Sequence, residues 1–308
     1  MKPPFLLLAL TALLSACAAT RPMQDVARHP ATSDPVAVDA RFPPAMREIS
    51  FKSGGSKLNA LVYIADGPGP HPTTILLHGY PGNERNLDLA QALRRAGTNV
   101  VYFDYRGTWG SGGTFSVPHA LEDVAHVVAR ARDPEWASEY RADPGRVALV
   151  GHSFGGFLGA MTTAEDQSLP CYAHIAGADL GAFGLMARND ANFRSTLSAG
   201  LGADMDPDGG PVHADIESFM DDMVDRAEAY SLPSHGGALA TRPLMIVAGT
   251  RDLTLLKKIH NDPLLAALRK AGAKRLTEVV YDDDHSFSSH RIDLAWRLVD
   301  WQREQCWR

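Results

Sequence analysis

The chain has only three cysteines in 308 residues, at 17, 171 and 306. None stands in the paired spacing of a zinc site, so neither a metal nor any other cofactor is expected. Basic runs are also missing and the formal net charge is -6, which argues against nucleic acid as a partner. The one apolar stretch near the start, residues 5–14, is about half of the ~20 residues that a membrane-spanning helix needs. No internal repeat is visible. What remains is a globular composition, 45% hydrophobic and 21% charged, for which one α/β domain with an insertion accounts.

The first 17 residues read as a signal peptide: Lys2 supplies the positive start, residues 5–14 the apolar segment, and Leu14-Ser15-Ala16-Cys17 the end. Those last four resemble the bacterial lipobox, which implies cleavage before Cys17 and lipidation of its thiol; a plain secretory signal is the alternative. Several acyl chains on Cys17 would anchor the protein stably, at about 0.8 kcal/mol per buried CH₂. In such lipoproteins Ala18, where an Asp would retain the protein, implies the outer membrane of the bacterial cell envelope, facing the periplasm. Residues 18–45 carry Pro22, Pro30, Pro35, Pro43 and Pro44 without apolar periodicity and read as a tether.

From residue 46 to 308 the pattern is α/β. Residues 48–52 and 58–64 form a hairpin across Ser53-Gly54-Gly55-Ser56. Apolar runs at 73–77, 100–105, 147–150, 173–178, 243–248 and 279–281 then alternate with amphipathic helical stretches, which predicts a mostly parallel sheet with helices on both faces. The last of these helices, from about Ser289, shows Ile292, Ala295, Trp296 and Val299 on one face. Residues 181–240 contain no strand-like run and read as a helical cap. They hold ten Asp or Glu against three Arg, a solvated surface or an acidic rim that disfavours anionic substrates.

The chemistry centres on Gly151-His152-Ser153-Phe154-Gly155, set between an apolar strand and a small-residue helix. Glycines at 151 and 155 let a strand reverse sharply into a helix, with Ser153 at the tip of the turn. A serine hydroxyl needs a base and a group to orient that base. Asp252 and His285 each follow a later strand, at the carboxyl edge where parallel sheets bind ligands; Asp179 and His290 are the competitors. The oxyanion donors are expected to be the N–H of Phe154 and that of Tyr80, whose phenol is a second option. Asp282, Asp283 and Asp284 read as loop and capping residues.

HGYPGN at 78–83, DYRGTWGSGG at 104–113, GHSFGG at 151–156, GTRD at 249–252 and DDDH at 282–285 together resemble the α/β-hydrolase superfamily over residues 46–303. The glycine-rich loop at 106–113 and the doubled glycine after the elbow are similar to its prolyl oligopeptidase and dienelactone-hydrolase-like branches. The resemblance implies a serine hydrolase with a Ser153-Asp252-His285 triad, acting on a small-molecule ester or a short peptide. An aminopeptidase-like amidase and a catalytically silent envelope scaffold remain alternatives. An exported protein also meets an oxidising compartment. Cys171, just before a strand, and Cys306, at the end of the last helix, could both sit at the amino edge of the sheet, and a disulfide between them is left open.

Overall fold

The computed structural model describes residues 28–208 and 210–307; the signal-peptide reading and Cys17 lie outside them. Eight strands form one sheet: β1 (Ala45–Ser53), β2 (Ser56–Ile64), β3 (His71–Leu77), β4 (Asn99–Phe103), β5 (Ala142–His152), β6 (Tyr172–Ile175), β7 (Leu244–Gly249) and β8 (Leu276–Tyr281). Their order is β1-β2-β4-β3-β5-β6-β7-β8. The β1–β2 and β2–β4 pairs are antiparallel and all others are parallel. Strands β4, β6 and β7 are buried along their whole length. Such runs do not alternate because helices cover both sheet faces. Ile75, Leu77, Val101 and Leu149 point into one core layer, and Leu76, Val100, Val150 and Val247 into the other.

The covering helices are α1 (Leu87–Arg95), α2 (Val117–Ala131), α3 (Pro134–Glu139) and α4 (Phe154–Glu165). Between β6 and β7 the chain inserts α5 (Leu180–Asn189), α6 (Ala191–Gly202), α7 (Ile216–Asp225) and α8 (Gly236–Leu239). This insertion is the helical cap. Its helix α7 buries Phe219, Met220 and Met223, whereas α6 buries no residue. The chain closes with α9 (Lys257–His260), α10 (Asp262–Lys270) and α11 (Arg291–Trp301).

Two local features differ from the sequence reading. Helix α11 buries Leu294, Ala295, Leu298, Val299 and Trp301, while Ile292 and Trp296 are 64% and 41% exposed. Both apolar sets fit a 3.6-residue period, and packing selects the one that meets the sheet. One face of the exposed Trp296 indole stacks on the His29 ring at 3.8 Å.

The Pro-rich segment, from His29 on, lies against the domain. His29 Nε2 meets Asp300 at 3.0 Å, and Arg95 Nε donates to the Pro30 carbonyl at 2.6 Å. Arg141 donates to the carbonyls of Pro43 and Ala65 at 3.1 and 2.7 Å. Arg95 ends α1, Arg141 immediately precedes β5, and Asp300 sits near the end of α11. All three mark the amino edge of the parallel strands. At that edge Cys171 and Cys306 are joined by a disulfide across 135 positions, a link that typically stabilises by about 2–5 kcal/mol.

Candidate active site

Strand β5 ends at His152 and α4 begins at Phe154, so Ser153 alone makes the turn, at φ 57 and ψ -122. A non-glycine residue in that region costs on the order of 1–3 kcal/mol and persists only where its surroundings hold it. Here Ser153 N–H donates to Ile175 O at 3.0 Å, and Ser153 O accepts from Gly156 and Ala178, each at 2.9 Å. A Cβ on Gly151 would collide with the Gly155 carbonyl, and one on Gly155 with the Leu77 carbonyl. The two glycines are therefore required by backbone crowding. A third close approach ties the loop after β3 to the turn. A Cβ on Gly79 would lie 2.8 Å from Ser153 Cβ and 3.2 Å from its Oγ.

Asp252 and His285 meet because β7 and β8 are in register, with Gly249 beside Tyr281, and each side chain follows its strand by a few residues. Asp252 Oδ2 lies 2.7 Å from His285 Nδ1. Its Oδ1 accepts from the N–H groups of Thr254 and Leu255 at 2.9 and 2.8 Å, so the buried carboxylate is saturated with donors. Nδ1 of His285 carries the proton toward Asp252, which leaves Nε2 as the basic nitrogen. His285 is also tied to the elbow: its ring lies 4.8 Å from that of His152, and its carbonyl O is 3.0 Å from His152 Nε2. No hydrogen bond joins Ser153 Oγ to His285 in this arrangement. Such contacts are often long before substrate binds.

The competing residues sit elsewhere. Asp179 caps α5, accepting from Ala182 and Leu232 N–H at 3.1 and 3.4 Å, and burial raises its carboxyl above the usual range. His290 pairs with Asp283 at 2.7 Å and stacks on Tyr281. Asp283 and Asp284 accept backbone N–H groups of their own loop, from Asp284, Ser289, Ser286 and Ser288. Among the described residues no group of three or more His, Cys, Asp or Glu is placed to hold a metal ion.

The loop after β3 is fixed from several sides. His78 Nδ1–H donates to Gly79 O at 2.7 Å, Tyr105 OH donates to His78 O at 3.0 Å, and Trp109 Nε1–H donates to Pro81 O at 2.7 Å. Burial lowers the His78 imidazole to about 4, so it stays neutral. The N–H of Phe154, the first residue of α4, has no partner inside the helix and faces the same turn as Ser153. The Tyr80 phenol donates to Leu201 O of α6 at 2.5 Å. That hydroxyl therefore clasps the cap, while its chain neighbour Gly79 makes the close approach to Ser153. Ser153 is 8% exposed. A cavity of about 620 Å³ lies among β1, β2 and β4, and neither Ser153 nor its partners line it.

Two site residues escaped the sequence reading. His152 was visible as a letter of the elbow motif, but nothing in one sequence shows that it reaches His285. His260, lowered to about 4 by burial near Asp252, packs edge-on against Phe183 at 4.5 Å and accepts from Asp179 N–H at 3.1 Å.

An eight-stranded, mostly parallel sheet with a helical cap and a strand–Ser–helix turn defines the α/β-hydrolase fold. The Alpha/beta hydrolase family matches residues 74–298, and the chain belongs to that family. The quorum-quenching protein AidA of Acinetobacter baumannii is 31% identical over 133 residues, covering 41% of this chain and 42% of that protein. The chain thus spans about two-fifths of the length of this curated relative. Among solved structures, an esterase of Pyrococcus furiosus superposes with a TM-score of 0.63 at 17% identity, covering 89% of this chain and 97% of that one. An acylaminoacyl peptidase of Pyrococcus horikoshii gives 0.62 at 14% identity, covering 86% and 42%. At these identities the likeness is one of fold.

Proposed function

We propose that the protein opens carboxylic esters through an acyl-Ser153 intermediate. The observation that carries this reading is the 2.7 Å Asp252–His285 pair, bound through His152 to the strained turn that presents Ser153. His285 Nε2 accepts the Ser153 proton as Oγ bonds to the ester carbonyl carbon. The same proton then passes to the departing alkoxide. Water, deprotonated by His285, attacks the acyl-enzyme and releases the acid. Asp252 holds the imidazole in its working tautomer and stabilises the cation. The N–H groups of Tyr80 and Phe154 receive the developing oxyanion, and losing one such donor typically costs on the order of 10² to 10³ in rate.

We also propose that Cys17 is lipidated and anchors the protein in the bacterial envelope, at the outer membrane on its periplasmic side. The lipobox-like residues 14–17 support this.

Intact mass after exposure to a fluorophosphonate tests the chemistry. Wild type is expected to gain one adduct that Ser153→Ala lacks. No adduct on folded wild type would overturn the proposal. A panel of short-chain esters beside aminoacyl amides then separates esterase from amidase.

A further inference from the structure

We propose that His152 is a positioning residue that holds the backbone of His285 in place for proton transfer at Ser153; this rests on the serine-hydrolase reading above. His152 is the last residue of β5 and is buried, 2% exposed. Its Nε2 lies 3.0 Å from the His285 carbonyl. A carbonyl only accepts, so Nε2 carries the proton. The other nitrogen, Nδ1, is buried without a partner. In the neutral ring that leaves a bare lone pair. Protonation would instead place an N–H with no acceptor, and a charge, in the interior. Burial first, and then the neighbouring His285, lower the His152 imidazole to about 3. His152 is thus a neutral donor over the whole range in which a serine hydrolase works.

The rest of the His285 loop is fixed by other groups. Asp283 and Asp284 hold the N–H groups of residues 284, 286, 288 and 289, and Arg291 donates to Ser286 O at 3.0 Å. His285 itself has two handles: Asp252 on its ring and His152 on its carbonyl. The second handle comes from the residue bonded to the nucleophile. Base and nucleophile are therefore both referenced to the end of β5, and their separation does not depend on two independent loops. An error of about 1 Å in such a separation can cost on the order of 10²-fold in rate. Asp252, His260 and Arg291 are the other titratable or charged groups around this pair.

The test compares His152→Phe, which keeps a ring but donates nothing, with His152→Gln, whose amide N–H reaches about as far as Nε2. Both are made in the full chain, and fluorophosphonate labelling rate, kcat and KM on an activated short-chain ester are measured. The Phe variant is expected to label and turn over about 10- to 100-fold slower with KM within about twofold. The Gln variant should stay within about threefold of wild type. Should the Phe variant not fold, His152→Asn replaces it: its amide stops one carbon short of the carbonyl, so Asn slow beside Gln fast supports the assignment. A Phe variant as fast as wild type, or equal losses in both variants, would overturn it while leaving the serine-hydrolase reading intact. A wild type that takes no adduct would overturn that reading and the inference with it.

Discussion

Asp179 and Asp252 both follow a strand, and only their hydrogen bonds tell them apart. Asp252 spends one oxygen on two backbone donors and the other on His285, whereas Asp179 is consumed in capping α5. Asp252→Asn should therefore cost about 10³- to 10⁴-fold in ester turnover, because an amide favours the wrong tautomer of the base. Asp179→Asn should leave turnover within a few-fold. Equal losses in the two variants, read from initial rates, would sink the assignment. Candidates 153, 252 and 285 were legible in the sequence because each stands at a strand end, and parallel strands deliver their ends to one edge. The capping role of Asp179 was not, since it depends on where Leu232 N–H arrives from 53 positions away.

At the level of elements, α6 stands out, with no buried residue yet a bond from the Tyr80 phenol. This bond connects the cap to the loop that lies beside Ser153. Tyr80→Phe should leave ester turnover within about threefold of wild type, because the proposed oxyanion donor is the backbone N–H, while loosening α6. Faster amide hydrogen exchange across 191–202 is the expected signature. A slowing of turnover by about 10²-fold would mean that the phenol itself serves the oxyanion. The alternation of strands and helices was legible in the apolar runs, but the bounds were not. Strand β5 extends over Ala142–His152 and α7 stops at Asp225, and α5 and α6 carry no signal that the apolar runs reveal. Of the face read for α11, Ala295 and Val299 are buried, whereas Ile292 and Trp296, which fit the period as well as Leu294 and Leu298, are exposed. Docking of the Pro-rich segment was equally hidden: Arg95 and Arg141 grip backbone carbonyls, which every residue owns and no side-chain pattern reveals.

Over the whole molecule, burial shifts five histidines toward the neutral form: His71, His78, His152, His174 and His260. His78, His174 and His260 lie at about 4 and His152 at about 3. Their folded values lie below the unfolded value of 6.5, so between roughly pH 6.5 and 4 the unfolded chain binds more protons. Stability then rises with pH across that window and is lost as pH falls through it. A histidine shifted to 4 contributes up to about 2 kcal/mol of this loss at pH 5. Asp104 and Asp179, raised by burial, act in the opposite sense but are fewer. Tm is expected to fall by at least about 5 °C between pH 7 and pH 5; an unchanged Tm in calorimetry would refute this.

The docked segment from His29 to Pro43 also sets a direction. It leaves the domain at the amino edge of the sheet, while Ser153 sits at the carboxyl edge. Ten residues separate Cys17 from Arg28, and fully extended they reach at most about 35 Å, less than the roughly 45 Å diameter of such a domain. If Cys17 carries lipid, a Cys17→Ala variant should move from the membrane to the soluble fraction, and undiminished membrane recovery would count against the anchor. An anchored enzyme would then meet its substrates from the aqueous side. Esters arriving by diffusion through the periplasm would reach the nucleophile, whereas lipids confined to the anchoring leaflet would face its back.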